Sequence, residues 1–446
     1  MEDRQQLGAD LVGVRDTTHQ TINREFATAP PHDFLTTERL DWQLTERNRI
    51  GFRESLELED DLSQSSLDRA LGTAANRQTA VNHLQGLMSD WVHIFTPTVI
   101  NRLSFADNNF INTTAPTSNT PQITYPDLDD GAIINNRLRN PMVQQFNVGI
   151  EKQVGQGFLV KVDGVHNLGT RFIIGRPVGS VFNPDTQGPD EVTDLESAVN
   201  TKYDALWVSV RQRFQKYGEF DAAYTLAKAF NYANDDQIPF EYSPIDPSNL
   251  QREYGLPPND QRHRLVLSGL GNLPWKFHSA PIWTIASGVP MDILLPDGSE
   301  RVPTMQRNAG GREFHNARQL NAFIARTNAA GGVFEASANN HVILPQVNNN
   351  ARFNDSFNSL DFRLDRSFTF ADHYSINLIG EAFSIFNVTN TLGVSNLNYS
   401  GFANTLSPDP NNPNYSSRFG TPVSTAGGVF GSGGPRAFQL AAKLTF

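Results

Sequence analysis

The chain ends Arg436-Ala-Phe-Gln-Leu-Ala-Ala-Lys-Leu-Thr-Phe446, and the order of these residues decides the fold class. Phe438, Leu440, Ala442, Leu444 and Phe446 occupy alternate positions, with Gln439, Ala441, Lys443 and Thr445 between them. Successive side chains of a strand point to opposite faces, so this strand has an apolar environment on one side and a mostly polar one on the other. The same alternation recurs upstream. Leu360, Phe362 and Leu364 alternate with Ser359, Asp361, Arg363 and Asp365; Tyr374, Ile376 and Leu378 lie opposite Ser375, Asn377 and Glu381. Phe146, Val148 and Ile150 oppose Gln145, Asn147 and Glu151, while Phe158, Val160 and Val162 oppose Lys161 and Asp163. Leu206, Val208 and Val210 oppose Ser209, Arg211 and Arg213, and Phe220, Ala222, Tyr224 and Leu226 share one face. Weaker runs lie near 10–18, 35–45, 48–59, 79–90, 98–108, 262–271 and 282–292. The sum is about fourteen strands, each near the roughly 9–11 residues that cross a bilayer as a tilted strand.

The connections sort into two kinds. Gln153–Gly157, Gln215–Glu219 and Phe370–His373 are short hairpin turns. Segments 109–140, 167–202, 229–260, 293–356 and 387–434 are long and rich in Asn, Asp, Gly, Pro and Ser. Short and long connections alternate, as in an outer-membrane barrel with tight periplasmic turns and long extracellular loops. A soluble β-sandwich would have shorter strands and few loops of this length. The expected fold is all-β: an antiparallel transmembrane barrel filling residues 1–446 as one domain.

Composition narrows the function classes. No stretch of the 446 residues approaches the apolar length of a spanning helix. With 33 Gly and 26 Pro, no heptad pattern persists. A net charge of −11 argues against nucleic acid as a partner, because phosphate neutralisation needs a basic face. There is no cysteine, which removes thiol chemistry and disulfides and fits export into an oxidising space. The start, Met1-Glu-Asp-Arg-Gln-Gln-Leu7, lacks the basic and apolar regions of a secretory signal.

Several ordered blocks resemble the TonB-dependent receptor superfamily, specifically its Oar-like barrels. They are Phe95–Phe105, the hairpin Asn140–Val154 with Leu159–Thr170, Tyr203–Phe214 with Ala223–Lys228, Asp260–Gly269 and Glu381–Asn390. The C-terminal strand, with Phe438, Leu440, Ala442, Leu444 and Phe446, is similar to the segment such barrels present to the insertion machinery. The resemblance spans roughly residues 35–446 and implies a place in the outer membrane of a Gram-negative bacterium, in contact with its lipid. It implies ligand uptake through a barrel of about 22 strands that holds a plug and draws energy through TonB. No plug and no TonB box are evident here. At the observed strand spacing such a barrel would need roughly 700 residues, so the expectation is the C-terminal part of a receptor barrel, N-terminally truncated. TonB would then be a partner only of an intact receptor with its plug. The alternative, different in kind, is a surface-structural or adhesion barrel without transport. An open sheet has two unpaired edges, so it must close at a smaller size, pair with another chain, or fail to fold.

Catalytic chemistry finds no support. His83 and His93 stand apart, without a His-Glu-x-x-His motif. Asp127-Leu-Asp-Asp-Gly131 lacks the remaining spacing of a calcium loop and reads as a solvated turn. Ser268 and His263 fall on opposite faces of one strand, and Gly431-Ser-Gly-Gly434 is no nucleophile elbow. No enzyme activity, metal site or cofactor is expected, and ligand-binding residues are not legible. The candidate functional residues are the charged side chains of the polar faces, expected to point into the lumen: Lys161, Asp163, Arg211, Arg213, Asp361, Arg363, Asp365, Glu381 and Lys443. Trp42, Trp207, Trp275 and Trp283 are candidates for an aromatic girdle, with Trp207 sharing the parity of the inward residues.

Overall fold

The structure, a computed structural model, describes residues 12–15, 22–25, 32–64, 77–116, 131–134, 139–183, 188–232, 244, 246–296, 300–335, 339–353, 356–370, 374–390, 406, 419–420, 426 and 433–445. Phe446, Asp127–Asp130, Gly431 and Ser432 lie outside the described residues.

Two short strands come first, β1 (Val12–Arg15) and β2 (Ile22–Glu25), paired only with each other. The main sheet begins with β3 (His32–Thr45), β4 (Asn48–Gln64), β5 (Arg77–Thr96) and β6 (Val99–Pro116). After the short β7 (Gly131–Ile134) come β8 (Met142–Val154), β9 (Phe158–Asn183), β10 (Gly188–Arg213) and β11 (Gly218–Phe230). Then follow β12 (His263–Leu273), β13 (Phe277–Ala286), a helix α1 (Ala317–Ala329), and the small pair β14 (Val333–Glu335) and β15 (Asn340–Val342). β16 (Phe357–Phe370), β17 (Tyr374–Phe383) and β18 (Ala437–Thr445) complete the chain.

Fourteen strands form one sheet. Thirteen are antiparallel neighbours in chain order from β3 to β18, leaving out β7, β14 and β15; β7 joins the side of β10 in parallel. Among the described residues no ladder joins β3 to β18, so the sheet is open with these two as edges.

Register carries each face across the whole sheet. Leu440 opposes Gly380, which opposes Leu364, which opposes Ser279. Leu226 opposes Leu206, Leu206 opposes Gly164, Gly164 opposes Val148, and Val148 opposes Leu103. Leu103 opposes Trp91, which opposes Ile50, which opposes Trp42. Many of these apolar side chains have no cover: Leu440 is 88% exposed, Phe438 71% and Leu40 63%. A soluble monomer exposes contiguous apolar patches of only a few hundred Å²; this one runs from edge to edge of the sheet. It matches the outer band of a membrane barrel. No helix among the described residues is long and apolar enough to cross a membrane, which says nothing of strands.

Four expectations are corrected. The run near 10–18 is β1, outside the main sheet, because it pairs with β2 alone. The run placed at 282–292 is β13, Phe277–Ala286, and Trp275 sits beside it in the β12–β13 turn. Segment 167–202 is no loop. β9 and β10 continue through it as a long hairpin, about 86 Å for 26 residues at roughly 3.3 Å each. The hairpin changes register near Glu196, Val199 and Thr201, opposite Arg171 with its positive φ of 65°; bulges there bend the ribbon. Finally, 293–356 is not an irregular connection. It folds around an apolar core of Ile293, Leu295, Val302, Leu320, Ile324 and Leu344, all essentially buried, to which Leu406 and Phe419 of the β17–β18 connection also belong.

Candidate functional site

All nine charged residues singled out in the sequence fall on one face of the sheet, the one opposite the apolar face. The strand period of two puts them there, since alternate residues of each strand share a face. Arg211, Arg213, Arg363 and Asp365 have cross-strand partners in register. Arg211 is directly opposite Asp221, with its Nε donating to Oδ1 at 2.6 Å; Arg213 faces Glu219 at 3.5 Å. Arg363 faces Glu381 at 3.6 Å and reaches Asp365 at 3.5 Å along its own strand. Asp365 in turn faces His278, whose Nδ1 is 3.4 Å away. Lys161 pairs with Asp163 two residues on, at 3.1 Å. Lys443 sits opposite Asn377. Opposite charges on facing positions give each strand pair a modest register preference and leave a wetted, ion-paired wall. Trp207 lies on this polar face, opposite Asp163, whereas Trp42 and Trp283 lie on the apolar one.

Asp361 differs from the rest. Its Oδ1 accepts from the backbone N–H of Ser384 at 2.8 Å and from Ser359 Oγ at 3.2 Å, so it fixes the exit of β17. Beside it, buried Asn390 accepts from Asn358 N at 2.6 Å and donates to Asn358 O at 3.0 Å and Gly433 O at 2.9 Å. Gly433 N donates to Ser359 Oγ at 2.9 Å, so both ends of the β17–β18 connection are tied to β16.

Apart from the short β9–β10 connection, the short turns leave one end of the sheet and the long connections the other. At the long-connection end, the segments after β11 and after β13 are bound together by buried polar contacts. Arg301 donates to Glu253 Oε2 at 3.2 Å and to Arg252 O at 3.1 Å; Arg301 and Glu253 are both buried. Arg307 Nη1 donates to Asn231 O and Oδ1 at 3.0 and 2.8 Å. Arg312 donates to Asp260 at 3.2 Å from Nε and to Asp260 O at 2.6 Å from Nη2; burial lowers the Arg312 guanidinium below its ordinary pKa, against the opposing pull of Asp260. Asp292 accepts from Asn308 N at 2.5 Å and lies 3.9 Å from Arg301; burial pushes its carboxyl up, and Arg301 pulls it down by less. A buried pair of this kind is costly to break from one side, because it strands the other charge. Sequence reading passed over these clamps. Two of them, Asp260 and Asn390, end blocks that carried the resemblance, at the points where strand gives way to loop.

What this arrangement can do is now bounded. It is a wall with a lipid-compatible face, a charged face, and a loop assembly tied together by polar contacts. Among the described residues no three His, Asp or Glu side chains group as a metal cage.

No curated protein matches the chain. Among solved structures it is similar to the FrpB iron transporter from Neisseria meningitidis, at 10% identity and a TM-score of 0.39, over 81% of this chain and 52% of that one. It is similar to the siderophore receptor PirA from Pseudomonas aeruginosa, at 10% identity and a TM-score of 0.38, over 82% and 56%. The outer membrane transporter YddB from Escherichia coli gives 9% identity and a TM-score of 0.40, over 98% and 71%. The chain spans about half the length of the first two. The decisive match is to a family model, the outer membrane beta barrel domain, over residues 120–439, more than half of the chain. With that match, and with uncovered apolar side chains along one face of the antiparallel sheet, the chain belongs to the outer membrane β-barrel domain family.

Proposed function

We propose that the chain is the wall and loop assembly of a TonB-dependent transport barrel. The polar face lines the lumen, and Lys161, Asp163, Arg211, Arg213, Arg363, Asp365, Glu381 and Lys443 form its charged lining, with Asp361 closing the loop end. The loop assembly meets the ligand first. TonB acts only where a plug occupies the lumen, so the chain performs uptake as part of a receptor that includes one. The C-terminal strand, with Phe438, Leu440, Ala442 and Leu444, is the handle for the insertion machinery. What supports the reading is the charged ladder: the in-register ion pairs Arg211–Asp221, Arg213–Glu219 and Arg363–Glu381 on one face, backed by uncovered apolar side chains on the other.

The test uses native outer membranes containing the chain, solubilised in mild detergent and passed over immobilised periplasmic domain of TonB. Retention of the chain, together with a plug-bearing polypeptide, is the expected result. A chain that flows through, while other receptors in the same extract are retained, would overturn transport in favour of a surface-structural barrel.

A further inference from the structure

Where β10, β11 and β12 leave the apolar face at the loop end, two cavities meet. The upper one, of about 900 Å³, lies between these strand ends and the loop assembly. Its walls include Lys228, Arg252, Arg262, Arg312, His263 and His315, against a single carboxylate, Glu313. The lower one, of about 610 Å³, is a groove lined by Leu103, Phe146, Val148, Leu206 and Leu226, with the paired His166 and Asp204 also in its wall. Lys228 and Arg262 belong to both. Register places Lys228, opposite Asp204, and Leu226, opposite Leu206, on the apolar face; Arg262 immediately precedes β12, outside the ladder.

Arg252 is paired with Asp246 at 3.8 Å and Arg312 with Asp260 at 3.2 Å, which leaves Lys228 and Arg262 the least engaged cations of the site. Asp204 is the carboxylate opposite Lys228, but it is engaged by Lys202 at 3.0 Å and by His166 Nδ1 at 2.7 Å. The Lys228 ammonium instead lies over the Phe230 ring, 4.4 Å from its centre. Asp260, nearly fully buried, serves Arg312 at 3.2 Å and Arg262 only at 3.9 Å. Arg262 Nε is buried and makes no hydrogen bond among the described residues. A surplus of donors above an apolar groove on a membrane-facing wall suits one chemistry: an anionic head with acyl chains beneath it.

We infer that this site holds a phosphorylated membrane lipid, its phosphate between Lys228 and Arg262 and an acyl chain in the Leu206–Leu226 groove. The inference rests on the membrane setting of the family and is independent of transport.

The test is native mass spectrometry of the full chain, folded and delipidated in detergent, with diphosphoryl lipid A as probe. One bound equivalent is expected, with occupancy falling at least tenfold for the double variant Lys228→Gln/Arg262→Gln and unchanged by millimolar inorganic phosphate. Leu206→Gln is expected to weaken the lipid too. Equal occupancy in wild type and the double variant would overturn the site. Full displacement by inorganic phosphate would overturn the lipid and leave a soluble-anion site. Heat-dependent gel migration checks that each variant is folded; where the double variant is not, either single variant is read by the same criteria.

Discussion

At Gly218 the chain has no room for a side chain. Its φ is 127°, and an added Cβ would lie 1.8 Å from the backbone carbonyl oxygen of Leu270 on the neighbouring strand. Both the backbone conformation and the contact demand glycine. Gly155, in the β8–β9 turn, also has a positive φ, but open space around it. Gly218→Ala is therefore expected to cost about 2–3 kcal/mol, and Gly155→Ala about 1 kcal/mol. The temperature at which the folded gel band is lost should fall clearly for the first and little for the second. Equal shifts would contradict the β11–β12 register. The neighbouring turn holds Trp275 and Lys276 with φ of 61° each, and Trp275 is 80% exposed. Two non-glycine residues in the left-handed region are unfavourable. A tryptophan retained there fits an anchor at the membrane interface, so Trp275→Gly should relax the turn while weakening the chain's partition into vesicles. Unchanged partition would remove the anchor.

At the scale of elements, the strands were legible and the loop assembly was not. Period-two alternation needs only short-range reading, and thirteen of the expected strands are the thirteen antiparallel members of the sheet. α1 also left a trace: Asn316 caps it by accepting from Gln319 N at 3.0 Å, Gln319 Oε1 accepts from His315 N at 2.7 Å, and Ala317, Leu320 and Ile324 keep helical spacing. This is the polar-x-x-Gln pattern of a capping box, obscured by surrounding Asn and Gly. The ion-paired clamps left none, because Arg301 and Glu253 are brought together only by the fold. Ile324→Ala should cost about 2–5 kcal/mol and Arg301→Met about 3–5 kcal/mol, opening the loops to protease without unfolding the sheet. Loss of the folded band at the same protease dose would show that the two are one cooperative unit. Asp292→Asn should be tolerated. A carboxyl raised by burial favours the folded state when protonated and weakens it as pH rises through its folded value. Wild-type loops should lose protease resistance as pH climbs from the ordinary carboxylate range, and Asp292→Asn should flatten that response. An unchanged profile would exclude Asp292 as the titrating group.

For the whole molecule, the account stands on one division: apolar side chains toward lipid, charged side chains toward water, across a single sheet. The sequence contains no cysteine, so single cysteines can be placed at will. The most direct measurement labels such variants in intact outer membranes with a membrane-impermeant maleimide. Arg211→Cys, Asp365→Cys and Lys443→Cys should react, while Leu206→Cys, Leu364→Cys and Leu440→Cys should not until the membrane is dissolved and the chain unfolded. Equal labelling of both sets in the intact membrane would contradict the barrel wall.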